Sequence, residues 1–427
     1  MRTSLIAACA VLLALPASAQ PQADADRVAA RIETLATFGT EPEGGVSRVA
    51  FSEHDVAARA WVVEQLHAAG MEVRVDASAN IIGRRAGTEP GLKPIMFGSH
   101  VDSVPNGGNY DGQVGVVAAL EVASLVEEHG LQTRHPLEVV IFIDEEGGLT
   151  GSRAMIGKLG ERALTEMTHA GVTRGDGIRL LGGDPDRLEE AALEPGDLAA
   201  FIEVHIEQGA NLADRGIDIG VVEGIVGIEW WDVTITGMAN HAGTTPMNAR
   251  NDALLAAARY VQAVNEVITL EPGAQVGTVG RISAVPGAHN VIPGVVHTTL
   301  EIRDLDRDKI WRMYERIRDR VADIEADSGT TFEFHLLDVS AIPAPMDPRV
   351  RGAISAAADE LGLSTLSMPS GAGHDAQDMA QIAPTGMVFV PSQGGISHSP
   401  REFTHNKDIV NGANVLLGAV LRLDAGL

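Results

Sequence analysis

The sequence has 427 residues, a formal charge of −26 and a single cysteine, Cys9. Charge of that sign and size argues against a nucleic-acid backbone or an anionic membrane surface as partner, and bears on solubility rather than on fold. With no thiol beyond position 9, disulfide frameworks, thiolate metal sites and cysteine nucleophiles are excluded from the rest of the chain.

The first twenty residues read MRTSLIAACAVLLALPASAQ. Arg2 supplies a positive start, residues 5–15 an apolar stretch, and Ala17-Ser18-Ala19 a small-residue cleavage site. This is the pattern of a secretory signal, and it predicts a secreted or periplasmic mature protein. The apolar run is short for a membrane span, and no later segment offers eighteen uncharged apolar residues, so no membrane contact is expected after cleavage.

Helices are expected over 24–35 and 53–69, then alternating strands over 71–75 and 79–84. Residues 94–98 form a short apolar strand that leads into GSHVDSVPNGGNYDG (98–112), followed by a helix over 115–128. LEVVIFI (137–143) has the unbroken apolar character of a strand buried on both faces. FIEVHIE (201–207) is another strand, ending in polar residues. This rhythm predicts an α/β domain with a mixed or mostly parallel sheet flanked by helices. After residue 220 the order changes: strand 228–236, helix 251–267, strands 277–283 and 296–303, helix 308–327, strand 330–337. That β-α-β-β-α-β succession is the split-βαβ, ferredoxin-like plan. The expected division is a signal at 1–19, a catalytic metal-binding domain from 20–220 and 340–427, and an inserted small lid or dimerisation domain at 221–339.

Polar clusters follow several strands, and ligands in open α/β sheets collect at the carboxyl ends of strands. In the 98–112 loop, His100 and Asp111 suit metal ligation, with Asp102 placed to orient the imidazole. Asp111 is equally a candidate helix cap. Glu145 and Glu146 form either a solvated turn or a ligand beside a general base; two such carboxylates resist joint ionisation unless a cation is near. Taken alone, His205 fits a core histidine and His398 a surface one. Imidazole beside carboxylate suits zinc, manganese, cobalt or nickel, whereas calcium prefers oxygen alone.

GSHVDSVPNGGNYDG, EVHIEQG (203–209), HAGTTPM (241–247), GAGHDA (371–376) and GGISHSP (394–400) occur in that order. Over residues 27–425 the chain thereby resembles the zinc-dependent amidase branch of the di-metal M20-type peptidase family. That branch holds the N-carbamoyl-L-amino-acid hydrolases and allantoate amidohydrolases. The resemblance implies two divalent metals per subunit, zinc or manganese first, held by His100, Asp111 as the bridge, Glu146, His205 and His398. It implies Glu145 as general base toward a bridging water, and Arg303 on the substrate carboxylate. Gln208 and Asn290 would be substrate contacts, and His241 an oxyanion stabiliser reaching in from the partner of a homodimer. His374 and Asp375 would organise the site. The segment DEEGGLTGSRAM (144–155) is shorter than the family's continuation, which implies an altered pocket wall. The implied activity is hydrolysis of a linear amide C–N bond in a small carboxylate-bearing ureido substrate. An exopeptidase or N-acyl-amino-acid hydrolase is the alternative, and an inactive solute-binding protein a distant one.

Overall fold

A computed structural model describes residues 20–42, 44–337 and 341–427. The signal segment, Cys9 and the expected boundary at 339/340 lie outside them. The first strands are β1 (Glu72–Val75), β2 (Ile81–Arg85), β3 (Ile95–His100), β4 (Leu137–Phe142), β5 (Ala200–Ile206) and β6 (Ile219–Ile225). Then come β7 (Gly227–Thr236), β8 (Asn240–His241), β9 (Val276–Thr278), β10 (Ile282–Val285), β11 (Val291–Ile292), β12 (Val295–Asp304) and β13 (Thr331–Leu336). The last are β14 (Ala344–Pro345), β15 (Thr365–Ser370) and β16 (Thr385–Val390).

Nine strands make one mixed sheet, in the order β1-β2-β4-β3-β5-β16-β6-β14 with β15 beside β6. At its centre β4, β3, β5 and β16 run parallel, and every residue in them is buried. Successive side chains serve opposite faces. Ile95, Phe97, Val139 and Ile141 join helices Ala25–Ala36, Glu53–Ala68, Gln113–Glu128, Pro348–Glu360 and Asn406–Gly426 on one side. Met96, Val140 and Phe142 join Met155, Ala376 and Met379 on the other.

Local chemistry sets the helix starts. The Asp24 carboxylate accepts from the Asp26 and Arg27 amides, and the Ser52 side chain accepts from the Asp55 amide. Helix Gln113–Glu128 is buried almost all round, which its valines and alanines permit. It begins after Gly112, whose φ is 72° and where an added Cβ would lie 2.4 Å from the His100 ring. Only glycine lets the turn pass that close to the imidazole.

The second sheet runs β10-β12-β7-β13 with β9 beside β12, the strand order of a split βαβ unit. Its pairings are antiparallel, and helices Ala253–Leu270 and Arg307–Ser328 cover one face. The strand expected over 277–283 is instead two short ones. Between them the Gly280 amide donates to the Thr299 hydroxyl, which interrupts the backbone ladder. This sheet has its own core, centred on Trp231, whose ring stacks on Tyr314 at 4.6 Å and meets Trp311 edge-on. No helix among the described residues is long and apolar enough to cross a membrane.

Trp231→Ala removes the largest fully buried side chain. It is expected to destabilise the protein by about 3–5 kcal/mol. Urea denaturation followed by circular dichroism measures this, and a loss below about 1 kcal/mol would contradict the assigned core.

Candidate metal centre and active site

The four parallel central strands deliver the candidate ligands from their carboxyl ends. β3 ends at His100, and the loop behind it carries Asp102 and Asp111. Glu145 and Glu146 stand just past β4, His205 lies in β5 and His398 follows β16. Distant segments of sequence thus meet because their strands are neighbours in the sheet.

The Asp111 carboxylate is the hub. Its Oδ1 lies 3.1 Å from His205 Nε2 and 3.6 Å from His100 Nε2. Its Oδ2 lies 3.3 Å from His398 Nε2, and His398 Nε2 lies 3.4 Å from Glu146 Oε2. Two triads with possible metal-ligating geometry follow, His100–Asp111–His205 and Asp111–Glu146–His398, sharing Asp111. A third group, Glu203–His205–His374, lies among buried residues. The helix-cap reading of Asp111 does not hold: the cap residue is Gly112, and no side chain caps that helix.

The ring hydrogen bonds assign the tautomers. His100 Nδ1 lies 3.1 Å from the Asp102 carbonyl and His205 Nδ1 lies 2.9 Å from the Ile206 carbonyl. A carbonyl only accepts, so each Nδ1 carries a proton, and in the neutral ring Nε2 is the nitrogen with the lone pair. The Gly112 amide donates to His205 Nε2 at 3.2 Å, in agreement. His100 Nε2 is fully buried and makes no hydrogen bond, as does Glu146 Oε1. Imidazole nitrogens and carboxylate oxygens therefore face one another across the cluster. That arrangement is costly for neutral or anionic groups and fits bound cations. The donor set, three imidazoles and two carboxylates with no sulfur, suits a divalent transition metal.

The titration behaviour has the same cause. Burial alone would lower His100, but the carboxylates of Glu145, Asp102 and Asp111 push it well above the usual histidine value. Burial would raise Asp111, but the rings of His205, His100 and His398 hold it well below the usual carboxylate range. Burial and the Asp111 carboxylate push Glu146 to about 7. The hydrogen-bonded contact with Asp111 lifts His398 to about 9. Burial, reinforced by Glu146, Asp375 and Asp111, pushes Glu145 well above its ordinary value, against the pull of His100.

The supporting residues differ in part from the sequence expectation. His100 Nδ1 is oriented by the backbone carbonyl of Asp102; the carboxylate stands farther off at 3.6 Å. The Asp102 side chain instead accepts the Glu146 amide at 3.1 Å and the Glu145 amide at 3.4 Å, tying the two loops together. Gln208 is drawn into the cluster and donates to Asp111 Oδ2 at 2.6 Å. The His374 ring packs 4.4 Å from that of His205, and its Nε2 lies 2.9 Å from the Ser370 hydroxyl. Asp144, Gln208 and His398 all hold left-handed backbone conformations. Such strain, about 1–3 kcal/mol per residue, collects where surrounding contacts over-determine a functional geometry.

Three buried charges escaped the sequence reading. Glu402 accepts from the Tyr110 and Asp111 amides and from the Ser397 hydroxyl, joining the first ligand loop to the last. Arg174 pairs with Asp144 at 2.8 Å and donates to the Gly147 carbonyl, bracing the turn that carries Glu145 and Glu146. Glu203, beneath His205, accepts from the Ser99 hydroxyl and the Ala376 amide. Glu402 and Arg174 lie in no pattern that separates them from an ordinary surface charge, whereas Glu203 sits inside the apolar strand FIEVHIE.

The remaining predicted residues stand apart from the cluster. His241 and Asn290 sit exposed on and beside the β8–β11 ribbon, joined locally by the Ala242 amide donating to the Asn290 carbonyl. His241 Nδ1 accepts the amides of Gly243 and Thr244, at 3.0 and 3.2 Å, so its proton resides on Nε2. Arg303, on β12, donates from Nη1 to the Gly371 carbonyl at 2.8 Å, three residues before His374.

Comparison with known proteins identifies the family. An N-carbamoyl-L-amino acid amidohydrolase of Geobacillus stearothermophilus is 41% identical over 94% of this chain and 99% of its own length. The allantoate amidohydrolase of Bacillus subtilis is 34% identical over 92% of this chain and 96% of its own. The crystal structure of a hydantoinase/carbamoylase family amidase from Burkholderia multivorans superposes with a TM-score of 0.87 at 38% identity. That match covers 94% of this chain and 98% of the amidase. Residues 96–422 match peptidase family M20/M25/M40, and the chain belongs to that family of metal-dependent hydrolases.

Proposed function

We propose that this protein is a di-metal amidohydrolase. It cleaves a linear ureido C–N bond in a small carboxylate-bearing substrate, with an N-carbamoyl-L-amino acid as the favoured class. The observation that carries the reading is the Asp111 hub, where three imidazoles and the Glu146 carboxylate converge and where His100 Nε2 and Glu146 Oε1 are buried without a hydrogen-bond partner. His100, Asp111 and His205 would hold one cation, Asp111, Glu146 and His398 the other, with zinc or manganese best suited to the donors. When bound, such ions supply Lewis-acid polarisation of a carbonyl and make hydroxide available near neutral pH.

The chain's own groups supply the rest. Glu145 Oε2 stands 3.8 Å from His100 Nε2, beside the cluster. Its raised proton affinity suits a group that takes a proton from the attacking water and returns it to the leaving nitrogen. As the C–N bond breaks, the water oxygen remains on carbon and its proton reaches nitrogen through Glu145. Arg303 offers a planar fork for the substrate carboxylate. His241 presents an Nε2–H suited to a developing oxyanion. Its exposed position on the ribbon supports donation into the site of a second copy of the chain. Exposed Ile282 and Val285 on β10, with Leu254 and Leu255 in the first turn of helix Ala253–Leu270, support a homodimer through this sheet. In this reading the nine-stranded sheet is the catalytic body and the five-stranded sheet a lid.

A panel of N-carbamoyl-L-amino acids, allantoate, N-acyl-amino acids and dipeptides, assayed after reconstitution with each metal, tests the proposal. Release of ammonia with free amino acid from the carbamoyl compounds is expected; cleavage of dipeptides alone would overturn it. Glu145→Gln should lower kcat by at least about a thousandfold while metal content stays at the wild-type level. Near-normal turnover would remove Glu145 as the base. With His398 at about 9 and Glu146 at about 7, the metal-free site at pH 7 holds protons that ligation must expel. Metal affinity should therefore rise with pH up to about 9, and calorimetry at pH 7 in two buffers should show release of about one and a half protons from these two groups. A heat independent of the buffer would contradict that assignment.

A further inference from the structure

We propose that Glu301 is a positioning residue for substrate recognition: it holds one edge of the Arg303 guanidinium so that the other edge remains for the substrate carboxylate. The inference rests on the reading of Arg303 as the carboxylate site.

Glu301 and Arg303 lie two residues apart on β12 and so share one face of the second sheet, the face opposite its covering helices. Glu301 Oε1 accepts from Arg303 Nε at 2.9 Å and Oε2 accepts from Nη2 at 3.1 Å. This is the side-on, two-point form of the arginine–carboxylate pair, which fixes the plane of the guanidinium as well as its place. Nη1 donates to the Gly371 carbonyl of the nine-stranded body. Three of the five guanidinium donors are thus engaged, which leaves one on each terminal nitrogen. A substrate carboxylate can accept from these two remaining N–H groups.

Glu301 is itself held. Its direct cross-strand neighbour is Trp230, whose indole N–H donates to Glu301 Oε2. The acid is therefore bound to two donors on the sheet, Trp230 and Arg303. The Arg303 and Glu301 side chains are 26% and 25% exposed, so a solute can reach them. At that exposure the pair adds little to stability. Its effect is geometric: an unpaired arginine samples many rotamers, and a substrate would have to order it on binding. Because Glu301 also cancels the arginine's charge, selection at this site depends on two-point geometry more than on net attraction.

The test uses the full-length, metal-reconstituted enzyme with an N-carbamoyl-L-amino acid and with its carboxamide, which lacks the anion. E301A should raise KM for the carboxylate substrate about tenfold, with kcat changed less than about threefold. KM for the carboxamide should hardly change, and E301Q, which keeps one acceptor, should recover part of the loss. A packing defect would instead affect both substrates alike. R303A serves as the reference. If R303A raises KM for the carboxylate but E301A leaves it unchanged or lowers it, the positioning role is overturned and Glu301 is a bystander or a competitor. If R303A itself leaves that KM unchanged, the carboxylate-site reading fails instead.

Discussion

The Asp111 carboxylate, shared among three imidazoles, is the interaction on which the rest of the site depends. A buried carboxylate is stable only when its charge is matched, and buried imidazoles beside it have the reciprocal need. Here the protein meets these needs only in part: Gln208 donates to Asp111, whereas the buried Nε2 of His100 has no hydrogen-bond partner. The fold holds these groups together through contacts farther out. The Asp102 and Ile206 carbonyls set the rings, Glu402 grips the Asp111 loop, and Arg174 braces the Glu145–Glu146 turn. The site is pre-organised for cations, and its strained backbone positions fit that purpose.

Sheet topology explains why sequence-distant residues can serve one centre. Parallel strands place their carboxyl ends on one side, and β4, β3, β5 and β16 are adjacent. The second sheet adds groups of another kind. Arg303 touches the body through Gly371, whereas His241 and Asn290 are exposed on and beside the β8–β11 ribbon.

Much of this was legible in the sequence, and the limits have physical reasons. The apolar run that became β4 could be read because burial on both faces leaves no polar position. The second sheet's order followed from alternation, but the break at Gly280 did not, because it depends on the hydroxyl of Thr299 across the sheet. Motif resemblance brought out His100, Asp111, Glu146, His205 and His398, which lie together, while their isolated patterns suggested a cap, a core histidine and a surface histidine. Glu402 and Arg174 stayed hidden, because a charge buried by long-range contacts looks locally like any surface charge. The orienting atom behind His100 was placed on the Asp102 carboxylate, whereas the structure uses the carbonyl of the same residue.

The central claim is that one carboxylate serves two cation sites. The direct measurement is the metal content of the reconstituted wild-type chain and of Asp111→Ala, by plasma emission spectroscopy on folded protein. The account predicts about two ions per chain in the wild type and loss of both together in the variant. A variant that keeps a full site, or a wild type that never binds more than one ion, would contradict it.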